Sequence, residues 1–277
     1  MKISIVHAGY FKLDGGAMFG IVPKRLWQRL NPPDENNLCT WAMRCLLIET
    51  DGRRILVDCG LGDKQDEKWR SFFEPHGEEN LLDSLAAEHL SVEEITDVFL
   101  THLHFDHCGG AVKKDEAGRL VPTFPNATYW SNEVHWRWAM EPNAREAASF
   151  LKENFVPLQD AGVLQFLDVQ RDLLPWLPGV QVQFAYGHTE ALMALHIDME
   201  GRRFVYCSDL MPSSFHIGMP YIMAYDIRPL VTLEEKAWLL ENGLANDWTL
   251  IFEHDPQASF GTLTRDERGR IALKEKF

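Results

Sequence analysis

The sequence predicts an α/β fold in which two mixed sheets pack face to face with helices outside, an αββα sandwich of four layers. Three observations point there. Short apolar strand candidates recur in both halves of the chain, helical stretches fall between them in each half, and no Pro/Ser-rich linker or shift in composition divides the 277 residues. With 45% hydrophobic residues, a chain of this length buries a large core, so one domain over residues 1–277 is expected.

Taken in order, strands are expected at 3–7, 45–50, 54–58, 98–101, 128–130, 182–186, 194–198, 204–208, 249–253 and 271–274, each a short run rich in strand-forming side chains. A helix over 80–89 places Leu81, Leu82, Leu85 and Ala86 on one face, and Ser91-Val92-Glu93-Glu94 supplies a capping box for a short turn after it. Ser131 is expected to open a helix over 132–140, Asn143 one over 144–155, and Thr232 with Glu235 one that Gly243 closes. The segment Asp14 to Asn37 breaks this rhythm, because Gly15-Gly16, Pro23 and Pro32-Pro33 alternate with Met18, Phe19 and Trp27. Either it packs those apolar groups on its own core, or it is an N-terminal arm or lid at about 14–37 that walls a substrate pocket or joins a homodimer.

Against 27 Lys and Arg stand 41 Asp and Glu, a formal charge of −14. Bound divalent cations would offset part of it, yet a surface this acidic argues against a nucleic-acid partner. The N-terminus carries no signal-peptide core and no later run reaches membrane-spanning length, so a cytoplasmic protein with no membrane partner is expected. The cysteines Cys39, Cys45, Cys59, Cys108 and Cys207 are odd in number and sit mostly in or beside strand candidates, which fits reduced thiols better than a disulfide framework.

The chemistry concentrates in Thr101-His102-Leu103-His104-Phe105-Asp106-His107-Cys108-Gly109-Gly110, directly after an apolar stretch. Three imidazoles and a carboxylate crowded at the mouth of a buried strand are donors that zinc and its neighbours accept. His102 and His104, two apart on extended backbone, leave the same side of the chain and can grip one ion, while Asp106 and His107 lie where the backbone turns and suit a second. Further donors end later strands: His188, Asp209 and His254. In this reading His102, His104 and His188 serve one metal, Asp106, His107 and His254 the other, and Asp209 bridges. Two divalent ions about 3.5 to 4 Å apart can share a hydroxide whose parent water has lost its proton near neutral pH. Cys108 is either an added ligand or a small apolar filler. His7, His76, His89, His135 and His196 are read as ordinary, whereas His216, in the loop after Asp209, is a candidate proton shuttle.

The pattern His-x-His-x-Asp-His, followed by His, Asp and His at later strand ends, resembles the metallo-β-lactamase superfamily from about Arg44 to His254. The resemblance implies the αββα fold with a dinuclear site, two Zn²⁺ being the expected ions, at the sheet edge. It also implies that Asp58, in Leu56-Val57-Asp58-Cys59-Gly60, orients metal-bound groups from behind.

Redox members of the superfamily carry a glutamate where His104 stands, so the resemblance implies hydrolysis. Nuclease members add a second domain or a basic surface, and glutathione thioesterases a binding signature that Lys274 and Lys276 alone do not make. His-Leu-His-Phe-Asp-His with its Gly-Gly looks like the quorum-quenching N-acyl homoserine lactone lactonases and the methyl parathion hydrolase-like group, and residues 15–20 are similar to arms in that branch. A small-molecule lactone or ester substrate is implied, opened by the metal-bridging hydroxide, with Asp106 and Asp209 as catalytic carboxylates. Compact lactonases carry a tyrosine three residues past the bridging aspartate; Pro212 stands here, leaving that duty to Tyr221, Tyr225 or His216, or to the metals alone. Met18, Phe19, Phe105, His216, Met219, Tyr221 and Met223 are the expected lining of the substrate pocket. The alternatives are an organophosphate triesterase, arylesterase or thioesterase of the same fold, or a non-catalytic metal-binding or sensing protein.

Overall fold

The computed structural model describes residues 1–277. The chain forms two compact units that interleave along the sequence: Met1–Phe11 with Ala42–Val169, and Lys12–Trp41 with Gln170–Phe277. Two of these crossovers fall inside long strands, which is why no linker marks them in the sequence.

The chain lays down β1 (Lys2–Asp14), β2 (Leu38–Thr50), β3 (Arg53–Val57) and β4 (Asp97–Phe99), then a separate hairpin of β5 (Val112–Lys114) and β6 (Leu120–Pro122), then β7 (Thr128–Asn132) and β8 (Leu164–Leu167). The non-hairpin strands make one sheet in the order β1-β2-β3-β4-β7-β8. Residues 41–48 of β2 are buried without a break, the mark of a strand covered on both faces. β3 and β4 run parallel, with Ile55 opposite Asp97 and Val57 opposite Phe99, so both stop at the same edge. There the Asp58 N–H donates to the Phe99 carbonyl at 2.9 Å, and Leu56, Val98, Leu100, Phe124, Tyr129 and Phe155 fill the core behind.

The second unit holds β9 (Leu174–Leu177), β10 (Val180–Ala185), β11 (Leu192–Met199), β12 (Arg202–Tyr206), β13 (Thr249–Ile251), β14 (Phe260–Arg265) and β15 (Ile271–Lys276), ordered β15-β14-β13-β12-β11-β10-β9. β10 and β12 are each antiparallel to β11, and β12 is parallel to β13, so β10, β12 and β13 all point one way and end at one edge. The helix Pro229–Ala245 buries Leu239 and Leu240 with Val205, Leu250 and Leu263. Residues 15–19 and 24–27 are short helices whose Met18, Phe19 and Trp27 are buried, Phe19 stacking on Trp27 with ring centroids 5.2 Å apart.

Several local expectations are corrected. The helix Glu133–Met140 is capped by Asn132, whose side chain accepts from the His135 N–H at 2.8 Å, and not by Ser131. No α-helix forms over 144–155, only a 3-10 turn at Lys152–Asn154; Asn143 closes a turn onto the amides of Arg145 and Glu146, and the Ser149 carbonyl accepts from Phe105 N–H, so tertiary contacts use groups a helix would need. The late helix begins at Pro229, whose fixed φ and missing N–H suit a first turn, and ends at Asn246. Glu235 is taken instead by the amides of Tyr186 and Gly187, at 2.6 and 3.1 Å. Gly243 lies inside that helix, where a Cβ would come within 3.1 Å of Leu263. The unpredicted strands β5, β6, β8, β9 and β14 are partly exposed and carry no long apolar run. All five cysteines are free and buried, and no helix is long and apolar enough to cross a membrane.

Burial lowers the pKa of His196, on β11 against Trp248, to about 4, below the 6.5 of an unfolded histidine. Between those values the unfolded chain takes the proton and the folded chain does not, so this stabilisation is intact above 6.5 and lost as pH falls toward 4. Replacing His196 with Gln is expected to flatten the fall of the melting midpoint between pH 6.5 and 4.5; slopes equal to wild type would refute the assignment.

Candidate metal centre

In the first unit the parallel ends of β3 and β4 place one group of donors. Asp58, fully buried, accepts from the Thr101 N–H at 2.8 Å and the Thr101 hydroxyl at 2.7 Å, and the His107 Nδ1 donates to it at 3.2 Å. Since the Thr101 proton goes to Asp58, Thr101 Oγ1 is the acceptor for His102 Nδ1 at 3.1 Å. The protons of His102 and His107 therefore sit on Nδ1, and Nε2 is the acceptor nitrogen of each, the form a metal ligand needs.

His104 is extended and caps the helix Phe105–Cys108, so Asp106 and His107 leave from a helical turn and the first two imidazoles from the segment before it. His102 Nε2 and His104 Nδ1 face each other at 3.1 Å. On the far side of that ring, His104 Nε2 lies 3.6 Å from a carboxylate oxygen of Glu146, which is held by the Trp138 indole at 2.8 Å and Asn143 at 2.6 Å. His135 Nε2 accepts from the Leu103 N–H at 2.9 Å, so this ordinary-looking histidine fixes the motif's main chain. The Cys108 thiol, pushed up to about 12 by burial, donates to the Leu103 carbonyl at 3.3 Å and acts as filler. The glycines after it are forced by close approach: a Cβ on Gly109 would lie 2.0 Å from Leu61 O, and one on Gly110 2.2 Å from Cys59 O. Lys64 donates to the Gly109 carbonyl.

The second unit gathers its own donors at the shared edge of β10, β12 and β13. Asp209 stands in the turn Ser208–Leu210, His188 follows β10, and His254 follows β13 with its N–H on the Pro212 carbonyl at 2.9 Å. Asp209 directs one oxygen to His188 Nε2 and the other to His254 Nε2, each at 3.2 Å. His188 Nδ1 donates to Asp226 at 2.8 Å, so the neutral ring presents the lone pair of Nε2 toward the Asp209 carboxylate, two acceptors that suit a cation between them. The donor chemistry thus fits metal: buried His and Asp side chains of the kind that hold an ion stand at strand ends in each unit.

Of the expected pocket residues, the second unit holds Met18, Phe19, His216, Met219, Tyr221 and Met223. The His216 ring stacks on Phe19 with centroids 5.1 Å apart, donates from Nε2 to the Met18 carbonyl at 2.9 Å, and accepts from the Ser213 hydroxyl at 2.7 Å. Burial lowers its pKa to about 3. Met223 is buried too, while Met219 and Tyr221 are partly exposed. Phe105, in the first unit, packs against Trp69 and Phe73 with centroids 5.1 and 4.5 Å away. Sequence reasoning missed Trp69, Phe73, Glu146 and Asp226; only the i, i+4 spacing of the first two was a usable signal.

Such a set of buried imidazoles and carboxylates at strand ends defines a metallo-hydrolase, and the comparisons agree. The profile of the metallo-β-lactamase superfamily matches residues 44–254, and the chain belongs to that superfamily. An N-acyl homoserine lactonase from Bacillus cereus is 25% identical over 209 residues, covering 72% of this chain and 71% of the lactonase. A probable metal-dependent hydrolase from Staphylococcus aureus superposes with a TM-score of 0.87 at 27% identity, covering 100% of this chain and 98% of its own. A dizinc quorum-quenching lactonase solved with its product shares the fold, with a TM-score of 0.78 at 20% identity over 99% of this chain and 94% of its own. The fold is therefore that of the metallo-β-lactamase superfamily, and the protein is a hydrolase of that family.

The approach of Gly110 to Cys59 makes Gly110→Ala a sensitive substitution. It is expected to cost roughly 1–3 kcal/mol, as overpacking does, read as a lower denaturant midpoint; an unchanged midpoint would show that the backbone yields freely.

Proposed function

We propose that this chain is a dinuclear zinc hydrolase that opens the lactone ring of N-acyl homoserine lactones, the quorum-quenching reaction. The observation that carries the reading is Asp209, a buried carboxylate offering one oxygen to each of two imidazoles as a bridging ligand would, in a superfamily member whose relatives include an N-acyl homoserine lactonase. By their order in the motif, His102, His104 and His188 are assigned to one ion and Asp106, His107 and His254 to the other, with Asp209 serving both. When bound, such a pair of ions supplies Lewis acidity and lowers the pKa of a water to about 7.

The chain's own residues do the rest. Asp58 and Thr101 hold His107 and His102 with Nε2 as the donor to metal. Asp106, a buried carboxylate in the first turn of its helix, takes the proton released as water adds to the lactone carbonyl. It returns that proton to the ring oxygen when the carbon–oxygen bond breaks, leaving a carboxylate and a free hydroxyl on the acyl homoserine. Each unit, taken by itself, carries apolar side chains suited to an acyl tail: Phe105 with Trp69 and Phe73 in the first, and Met219 with Tyr221 over the buried Met18, Phe19 and Met223 in the second.

Zinc-loaded protein is expected to hydrolyse acyl homoserine lactones with kcat/KM at least tenfold above phenyl esters, thioesters and phosphotriesters, in order-of-magnitude terms worth about 1.4 kcal/mol of discrimination. A preference for any of the other three would replace the lactone by that substrate. Asp209→Ala is expected to remove bound metal and more than roughly a hundredfold of kcat/KM, since even residues behind the ligands cost ten- to a hundredfold. Wild-type metal content and turnover in that variant would defeat the ligand assignment.

A further inference from the structure

We propose that Asp226 is a positioning residue that fixes the imidazole of His188 for metal binding. The inference rests on the metal-binding reading above and is independent of which ester or lactone is cleaved.

Asp226 is 1% exposed and accepts from His188 Nδ1 at 2.8 Å. It does so from the start of a segment that grips the His188 loop along its backbone. The Ile227 N–H donates to the His188 carbonyl at 3.2 Å, and the Arg228 N–H to the Gly187 carbonyl at 2.9 Å. The Arg228 guanidinium reaches the Tyr186 carbonyl at 2.8 Å, while Glu235 accepts from the amides of Tyr186 and Gly187. Gly187 lies so close to Thr232 that a Cβ there would come within 2.2 Å of its hydroxyl oxygen.

These contacts fix where the main chain of residue 188 lies, but they leave the ring's rotation and its tautomer undetermined. Asp226 settles both. A carboxylate cannot donate, so Nδ1 carries a proton, and in the neutral, metal-binding form of the ring Nε2 carries the lone pair 3.2 Å from Asp209. Its negative charge also makes the imidazole a stronger metal donor. With the carboxylate gone, the proton can move to Nε2 and the ring can turn, and both block coordination.

The test uses the full-length protein reconstituted with Zn²⁺ or Co²⁺, titrated against a chromogenic chelator. Asp226→Ala is expected to weaken one metal equivalent by roughly ten- to a hundredfold and to shift the cobalt absorption bands, while the other equivalent binds as in wild type. Asp226→Asn keeps an acceptor oxygen in place without the charge, so its loss is expected to be smaller; this rescue separates orientation of the ring from mere packing. Wild-type affinity and an unchanged cobalt spectrum in Asp226→Ala would overturn the proposal. If the alanine variant fails to fold, the same two readings on Asp226→Asn decide, and no change in either overturns it. Lactone turnover enters neither measurement. Wild-type protein that binds both equivalents yet cleaves no lactone would sink the substrate reading alone, whereas wild-type protein that retains no metal would sink both.

Discussion

Taking carboxylates out of water beside imidazoles is the constraint on which this structure depends. An ionised carboxylate in a low-dielectric interior costs several kcal/mol, of order, unless hydrogen-bond donors or a cation meet its charge. Asp58, Asp106, Glu146, Asp209 and Asp226 are all at most 7% exposed. Three of them are met by donors the protein supplies: Asp58 by Thr101 and His107, Glu146 by Trp138 and Asn143, and Asp226 by His188. Asp58 and Asp226 hydrogen-bond imidazole rings from their outer side, and Glu146 lies 3.6 Å from a third ring, that of His104. Asp209 instead meets the acceptor side of His188, which is where a cation belongs. One physical cost, met in two ways, separates the residues that orient from those suited to coordinate.

The topology makes this arrangement affordable without long loops. In the first unit the parallel pairing of β3 with β4 brings Asp58 and Thr101 to a common edge, one residue past each strand or nearly so. In the second, the shared direction of β10, β12 and β13 does the same for His188, Asp209 and His254. Donors placed by strand ends inherit the rigidity of the sheet, so little conformational entropy remains to be lost when an ion binds. The glycines at 109 and 110 belong to the same economy of space, since the turn after the motif runs against the backbone of residues 59–61 with no room for a Cβ.

How much of this was legible in the sequence follows from where each signal lies. The motif from His102 to His107 is local, and the apolar runs before it and before Asp209 and His254 marked the strands whose ends carry the candidate ligands. Helix starts were read less well: a capping side chain such as Asn132 differs from its neighbour Ser131 only in geometry. Asn143 shows the stronger effect, because its turn is decided by Glu146, which tertiary contacts with Trp138 and the approach of His104 draw inward. Asp226 was illegible for a related reason. Nothing near it in the chain suggests a role, and its partner His188 lies 38 positions away. The two interleaved units left no trace either, since their borders run through strands that read as continuous.

The loop after Asp209 shows how a residue suited by position to one task is held to another by its contacts. His216 stands where a proton shuttle is expected, yet its Nε2 donates to Met18 O, its Nδ1 accepts from Ser213, and burial lowers its pKa to about 3. A neutral ring with both nitrogens engaged offers neither a free lone pair nor a free N–H to a substrate. It works as a pin between the loop and the N-terminal segment, reinforced by the Ala224 N–H on the Ala17 carbonyl at 2.7 Å. Lys236 adds a further anchor from the long helix, donating to the carbonyls of Gly218 and Tyr221 at 2.8 and 2.9 Å. A loop fixed at three points presents Met219 and Tyr221 in a set geometry, so a substrate that uses them pays little to order them. With His216 occupied, the proton transfer of the reaction proposed above falls to the carboxylate assigned to it there, Asp106.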